Sequence, residues 1–391
     1  MQGRTAVVLG LGYLGILVAN LLMVNPGSIF PLLRAEFGVG NIELSLLLVS
    51  TSLVHTFMQL PCGQIVDRLG GSRSLLIGML VLVGTTTFIA IAPAFMAVLV
   101  ARCILGIGSA LAFTAGVVLV NQGVPGERRA LAQGIFGASA NLGFLFALGL
   151  TPFLALLAGW RVALLAEGAL AVVVAVAILS MPSSSVTVSS SKWVPWGAVL
   201  GRPVFYLLGL AHVTGYGVYT AVVAWGVTLL TERHGLALDL AGSWAALLGV
   251  TAVVGRIVGG ALANGRERQV MVVCAVTTGL LLLMLPVSPS LVVTSVVLLL
   301  LGATTSLPFG SIFGLVGKLA GPAAGRATGV ANFIANLGAL AFPPIVGASL
   351  DLTGGFHLGF WAVGLVVLAS GAALWHSLPR SGGFGLAIRP G

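Results

Sequence analysis

Twelve apolar runs, each about as long as a helix that crosses a lipid bilayer, follow one another along this chain. They lie at roughly 6–30, 42–62, 74–92, 95–120, 131–157, 160–180, 204–230, 239–263, 269–286, 290–317, 327–348 and 357–378, each bounded by charge or by Pro and Gly. Only 7% of residues are charged and the mean hydropathy is +1.13. A soluble domain would carry about 25% charged residues, so that class is excluded and lipid is the solvent for most of the surface. The first run is too long for a signal-peptide core and is followed by further spans, so it reads as the first helix.

The chain is one membrane unit made twice. Ala140-Asn141-Leu142-Gly143 returns as Ala335-Asn336-Leu337-Gly338, with Gly134 and Gly329 seven residues before the asparagines and basic residues before those, Arg128-Arg129 and Arg326. Repeated halves around a midplane site are the ground plan of secondary transporters. The expected domains are an N-terminal six-helix half (1–182), a linker (183–203), a C-terminal half (204–380) and a tail (381–391). The linker carries Ser183-Ser184-Ser185 and Ser189-Ser190-Ser191, and its Trp193 and Trp196 are placed to anchor at headgroup level.

Basic residues set the orientation. With the N-terminus inside, thirteen of the 18 Lys and Arg fall in inside segments, and three, Arg34, Arg161 and Arg233, fall outside. Both termini are therefore expected in the cytoplasm. The last two, Arg102 and Arg256, fall within spans. The net charge of +9 is scattered over short loops, which predicts contact with anionic lipid headgroups and no nucleic-acid partner. Cys62, Cys103 and Cys274 lie in apolar helices without metal spacing, so neither a disulfide nor a metal site is expected. With no phosphate loop, metal cluster or nucleophile elbow, neither an enzyme nor a cofactor is expected.

Between the second and third runs stands Gly63-Gln64-Ile65-Val66-Asp67-Arg68-Leu69-Gly70-Gly71-Ser72-Arg73, and the fourth holds Arg102-Cys103-Ile104-Leu105-Gly106-Ile107-Gly108. The first resembles the cytoplasmic signature of the major facilitator superfamily, G-x-x-x-D-R-x-G-x-x-R, and the second is similar to its R-x-x-x-G-x-G pattern. The resemblance covers the whole chain. It implies an all-α fold of twelve transmembrane helices in two six-helix halves related by pseudo-two-fold symmetry. It also implies a monomeric secondary transporter in a bacterial cytoplasmic membrane, working by alternating access and coupled to a proton or another ion. Asp67, with Arg68 and Arg73, would lock the inward side by pairing with basic residues and a helix N-terminus. The second-half counterpart, Gly260-Ala261-Leu262-Ala263-Asn264-Gly265-Arg266, replaces the aspartate with Asn264, so a weaker lock is expected there.

Gly255-Arg256-Ile257-Val258-Gly259-Gly260 is similar to the monocarboxylate and oxalate branches, in which the arginine at this place binds a substrate carboxylate. An unpaired guanidinium inside a membrane costs about 2.5–3.5 kcal/mol or more, and its planar donors suit a carboxylate. Arg256 therefore reads either as the substrate anchor or as a side chain snorkelling to the interface. Those branches' aspartate, one turn earlier, is Ala252 here, and the oxalate exchanger's second cation gives way to Asn332 and Asn336. One cation favours a small organic monoanion. The G-P-x-x-G-G of drug-exporting antiporters is missing from 134–143, which makes export of apolar or cationic drugs the lesser alternative. A membrane receptor that binds without transport is the rival from another class.

Other candidates have two readings each. His55, Thr51 and Gln59, four residues apart, form one stripe that is a proton-sensitive gate or an interhelical bond. Arg102 caps broken-helix carbonyls or takes part in coupling. Glu167, the one carboxylate well inside a span, is a proton carrier or structural. Tyr216 and Tyr219, with His212 and Thr220, line the path or pack. Asn141, Asn332 and Asn336 bond between helices or touch substrate. Pro26, Pro152, Pro308, Pro343 and Pro344 are expected to kink or break their helices.

Overall fold

The structure, a computed structural model, describes residues 2–180 and 194–379. Most of the linker, including Trp193, and the tail 381–391 lie outside the described residues. In lipid, backbone N–H and C=O groups must be satisfied within the segment, and apolar runs of this length accordingly become helices. Twelve result among the described residues. They are α1 (Gln2–Val24, carried through a 3₁₀ turn Asn25–Ile29 into Phe30–Phe37), α2 (Asn41–Leu69), α3 (Gly71–Ile91), α4 (Phe95–Gly123), α5 (Arg129–Ala158) and α6 (Trp160–Leu179). The second set is α7 (Pro203–His212, a π turn Val213–Gly217, then Val218–His234), α8 (Leu238–Leu262), α9 (Glu267–Met284), α10 (Leu291–Ser306 with Pro308–Ala320), α11 (Ala324–Thr353) and α12 (His357–Ser377).

The connection from α2 to α3 is a single residue, Gly70, at φ +83°, a conformation that favours glycine. Its neighbour Gly71 serves packing instead: a Cβ there would lie 2.6 Å from Leu119 Cγ. The glycines of the fourth helix have separate partners. A Cβ on Gly106 would meet the Thr51 carbonyl of α2 at 2.6 Å, and one on Gly108 would meet the Gly78 carbonyl of α3 at 3.1 Å. Small residues let these backbones touch, which supplies the packing that hydrophobicity cannot supply in lipid.

Pro26 and Pro308 sit at breaks in α1 and α10, but Pro152, Pro343 and Pro344 lie inside continuous helices. Half-buried Trp196 donates through Nε1 to Gln64 Oε1 at 3.2 Å, and the Arg326 guanidinium stands 5.6 Å from its ring.

The core shows which end is closed. One cluster joins Leu111, Ala115 and Phe136 of α4 and α5 to Phe313, Ala327 and Val330 of α10 and α11. A second cluster, with Val222, Leu248, Leu298 and Phe360, is confined to α7–α12. The halves are therefore fused at the end bearing Asp67 and separate at the other.

Candidate functional site

A cavity of about 40 Å³ lies at the junction of the halves, walled by residues of α1, α2, α4, α5, α7, α8, α10 and α11. It brings together His55, His212, Tyr216, Arg256, Asn332 and Asn336, six residues singled out from the sequence. None of its lining residues is acidic. Arg256 is 8% exposed, so it does not snorkel. Its Nη1 donates to the Gly137 carbonyl at 2.5 Å, its guanidinium carbon lies 4.4 Å from the Phe309 ring centroid, and its buried Nε has no partner. A guanidinium over an aromatic face is attracted by the ring quadrupole, but among the described residues no carboxylate pairs with it.

Glycines make this placement possible. At Gly137 a Cβ would stand 2.8 Å from Arg256 Cδ and 2.6 Å from the Phe309 ring, while a Cβ on Gly134 would collide with the Arg256 carbonyl. Substituting Gly134 by Leu should therefore separate α5 from α8 and cost about 1–3 kcal/mol of overpacking. Gly149→Leu, where a Cβ meets nothing within 4 Å, should leave the melting temperature unchanged. Thermal melts of the two purified variants in detergent check the difference.

On α7 the π turn Val213–Gly217 sits where the helix passes the cavity, as such insertions often do at functional sites. His212 stacks on Tyr216 with centroids 5.9 Å apart and meets Phe309 and Phe313 edge-on at 5.6 and 5.2 Å. Together with Phe113 these rings make an aromatic floor between the cavity and the closed end.

The α2 stripe faces α4. His55 Nδ1 pairs with Ser109 Oγ at 2.8 Å and Nε2 with Gln59 Nε2 at 2.8 Å, while Gln59 Oε1 accepts from Thr114 Oγ1 at 3.1 Å. The Gln59 amide therefore donates to Nε2, which assigns the imidazole proton to Nδ1. Gln59 stands behind His55 and does not line the cavity. Thr51 Oγ1 bonds the carbonyls of Leu47 and Arg102.

Arg102 is 1% exposed and caps broken-helix carbonyls. It donates to Leu22 O at 2.7 Å, to Met23 O, and to Leu47 O at 3.2 Å. Leu22 lacks a helical partner because residue 26, four positions on, is a proline. Glu167 lies away from the cavity, buried between α6, α1 and α5, where it accepts from Asn25 Nδ2 at 2.7 Å and Thr151 Oγ1 at 2.6 Å.

At the closed end, Asp67 Oδ1 accepts from the Gly325 N–H at 2.6 Å, and Oδ2 from the N–H and Nη1 of Arg326 at 3.1 and 2.8 Å. The carboxylate thus caps the N-terminus of α11 and pairs with a buried arginine across the halves. Arg68 and Arg73 are exposed and stand outside this contact. Asn264, the counterpart of Asp67, is also exposed, and Arg129 donates instead to Asn121 O at 3.0 Å. Both residues line a cavity of about 740 Å³ at that end, beside the close approach of Gly260 and Gly310 to the Ala130 backbone.

Towards the opposite end, the central cavity adjoins a vestibule of about 490 Å³ that shares the wall residues Met23, Phe144 and Tyr216 with it and is lined also by Asn141 and Tyr219. Sequence reasoning missed Asn20, Ser109 and Phe309 on the cavity wall. For Phe309 a signal existed in Pro308, which interrupts α10 one residue earlier.

A model of the Major Facilitator Superfamily matches residues 12–343, with a second match over 230–385. The chain is 25% identical over 374 residues to the nitrite extrusion protein of Bacillus subtilis, covering 95% of this chain and 94% of that one. It is 28% identical over 162 residues to a probable sulfoacetate transporter of Cupriavidus necator, 41% of this chain and 38% of that one. Among solved structures it is similar to the proton:xylose symporter XylE, with a TM-score of 0.81 at 15% identity over 97% of this chain and 96% of that one. At that identity the likeness is one of fold.

Proposed function

This chain belongs to the major facilitator superfamily, and on that premise we propose that it moves a small organic monoanion across the membrane by alternating access, with Arg256 as the anchor. The chain is a multi-pass membrane transporter. The finer reading is carried by one observation: a buried guanidinium with an unpartnered Nε on the wall of a cavity that has no acidic lining residue. A buried cation without a counter-ion is costly, and a bound carboxylate supplies both the charge and the paired acceptors. The names of relatives, nitrite and sulfoacetate carriers, are compatible with an anionic cargo. A cationic drug would instead meet Arg256 as a like charge.

His55, Tyr216, Asn332 and Asn336 complete the binding surface, with Asn141 and Tyr219 on the approach. The richer supply of Lys and Arg at the Asp67 end makes that end cytoplasmic, so the vestibule faces outward. On this reading the closed end is the inward one and the vestibule the outward one. Counterflow into proteoliposomes tests the proposal with labelled monocarboxylates, dicarboxylates, nitrate and one cationic dye. Exchange of monocarboxylates alone or best is the expected result; dye as the sole substrate would overturn it, and binding without flux would favour a receptor.

A further inference from the structure

The two adjoining spaces have different characters. The inner cavity, about 40 Å³, holds about three water-sized groups, the scale of a carboxylate. The vestibule, about 490 Å³, falls within the usual range of small-molecule sites and is walled by Leu48, Leu145, Leu148, Val222, Leu248 and other apolar side chains. A bare inorganic anion or a two-carbon acid would fill the first and leave the second wet. From this division we infer that the substrate is amphipathic: a monoanionic head on Arg256 and an apolar tail, aliphatic or aromatic, lying in the vestibule. The inference rests on the anion reading above and extends it to a substrate class.

A second observation adds detail. Asn141, 2% exposed, lines the vestibule with a buried Nδ2 that has no hydrogen-bond partner. It lies on α5 one turn beyond Gly137, whose carbonyl holds Arg256, with its Cα about 6 Å further along the helix. A buried donor left unpaired costs free energy that a ligand acceptor restores. The tail therefore carries one acceptor, a keto, ether or hydroxyl oxygen, about one helical turn from the head.

Binding of a homologous series tests the division. Acetate, butyrate, hexanoate and octanoate, fully ionised at pH 8, would be titrated calorimetrically into the full chain in nanodiscs, with empty nanodiscs subtracted. Affinity should rise about threefold to fourfold per buried methylene. Gly249→Leu should flatten that rise. A Cβ there meets only Leu145 Cδ2 at 3.4 Å and Tyr219 Oη at 3.9 Å, so a longer side chain enters the vestibule without displacing backbone. A 5-oxo hexanoate should bind better than hexanoate, and Asn141→Leu should cancel that preference. A flat wild-type series that still depends on Arg256 would overturn the tail and leave the anion site standing. Binding indifferent to Arg256→Gln would instead overturn the anion reading beneath it.

Discussion

Arg256→Gln should lose monocarboxylate exchange by roughly 30-fold or more, while the variant folds and stays monodisperse. Removing one member of a buried, hydrogen-bonded charge pair costs about 2–5 kcal/mol, and each 1.4 kcal/mol is tenfold in affinity. In the empty protein the same substitution removes an uncompensated cation, so stability should hold or rise. That opposition of signs separates a binding role from a structural one. Were Arg256 a packing residue, its loss of the Gly137 bond and the Phe309 contact would lower the melting temperature along with activity. Arg256→Lys should fall between, because an ammonium keeps the charge but not the planar fork. Initial rates of labelled monocarboxylate counterflow and thermal melts, measured on the same preparations, read both quantities. Exchange unchanged in Arg256→Gln would remove Arg256 from the anion site.

The spans were legible because their signal is local. Twenty apolar residues force a helix in lipid whatever lies beside it, and all twelve runs are helices in the structure. Helix faces were also legible: the four-residue spacing of Thr51, His55 and Gln59 does put them on one stripe. Spacing does not say what the stripe faces, and it meets Ser109 and Thr114 of α4, leaving Gln59 off the cavity wall. Proline behaved in the same way. Each proline removes a donor, but whether the helix breaks depends on who takes the freed carbonyl. At Pro26 the answer is Arg102, 80 residues from Leu22. Nor did composition reveal the π turn that contains Tyr216: the helix is apolar on several faces there, so the roughly 100° phase shift of one extra residue leaves no visible break in the pattern. The repeat also marked a difference between the halves: Asn264 cannot carry the charge of Asp67, and it is exposed where Asp67 is buried.

Asp67→Asn should move the resting protein towards the conformation open at the Asp67 end. The carboxylate accepts three hydrogen bonds from Gly325 and Arg326, and Arg326 is only 1% exposed. Asparagine keeps one acceptor oxygen, turns an amide towards donors and strands the arginine. Breaking a buried pair in this way costs about 3–5 kcal/mol. The bonds join α2 to α11, so they exist only while the halves are closed there, and the loss falls on that state alone. A ligand-free equilibrium shifts by the full differential energy, roughly two to three and a half powers of ten for these values. The second-half counterpart does not compensate, since Asn264 is exposed and Arg129 is bonded elsewhere. Spin labels at the exposed positions Arg73 and Lys318, one in each half, should report a longer distance in Asp67→Asn than in wild type. Arg326→Gln in the Asp67→Asn background removes the stranded cation and should restore part of the closed population. A loss of melting temperature with an unchanged distance distribution would make the Asp67 contact a brace common to both states, and the one-sided lock would fail as an account of why this end is shut.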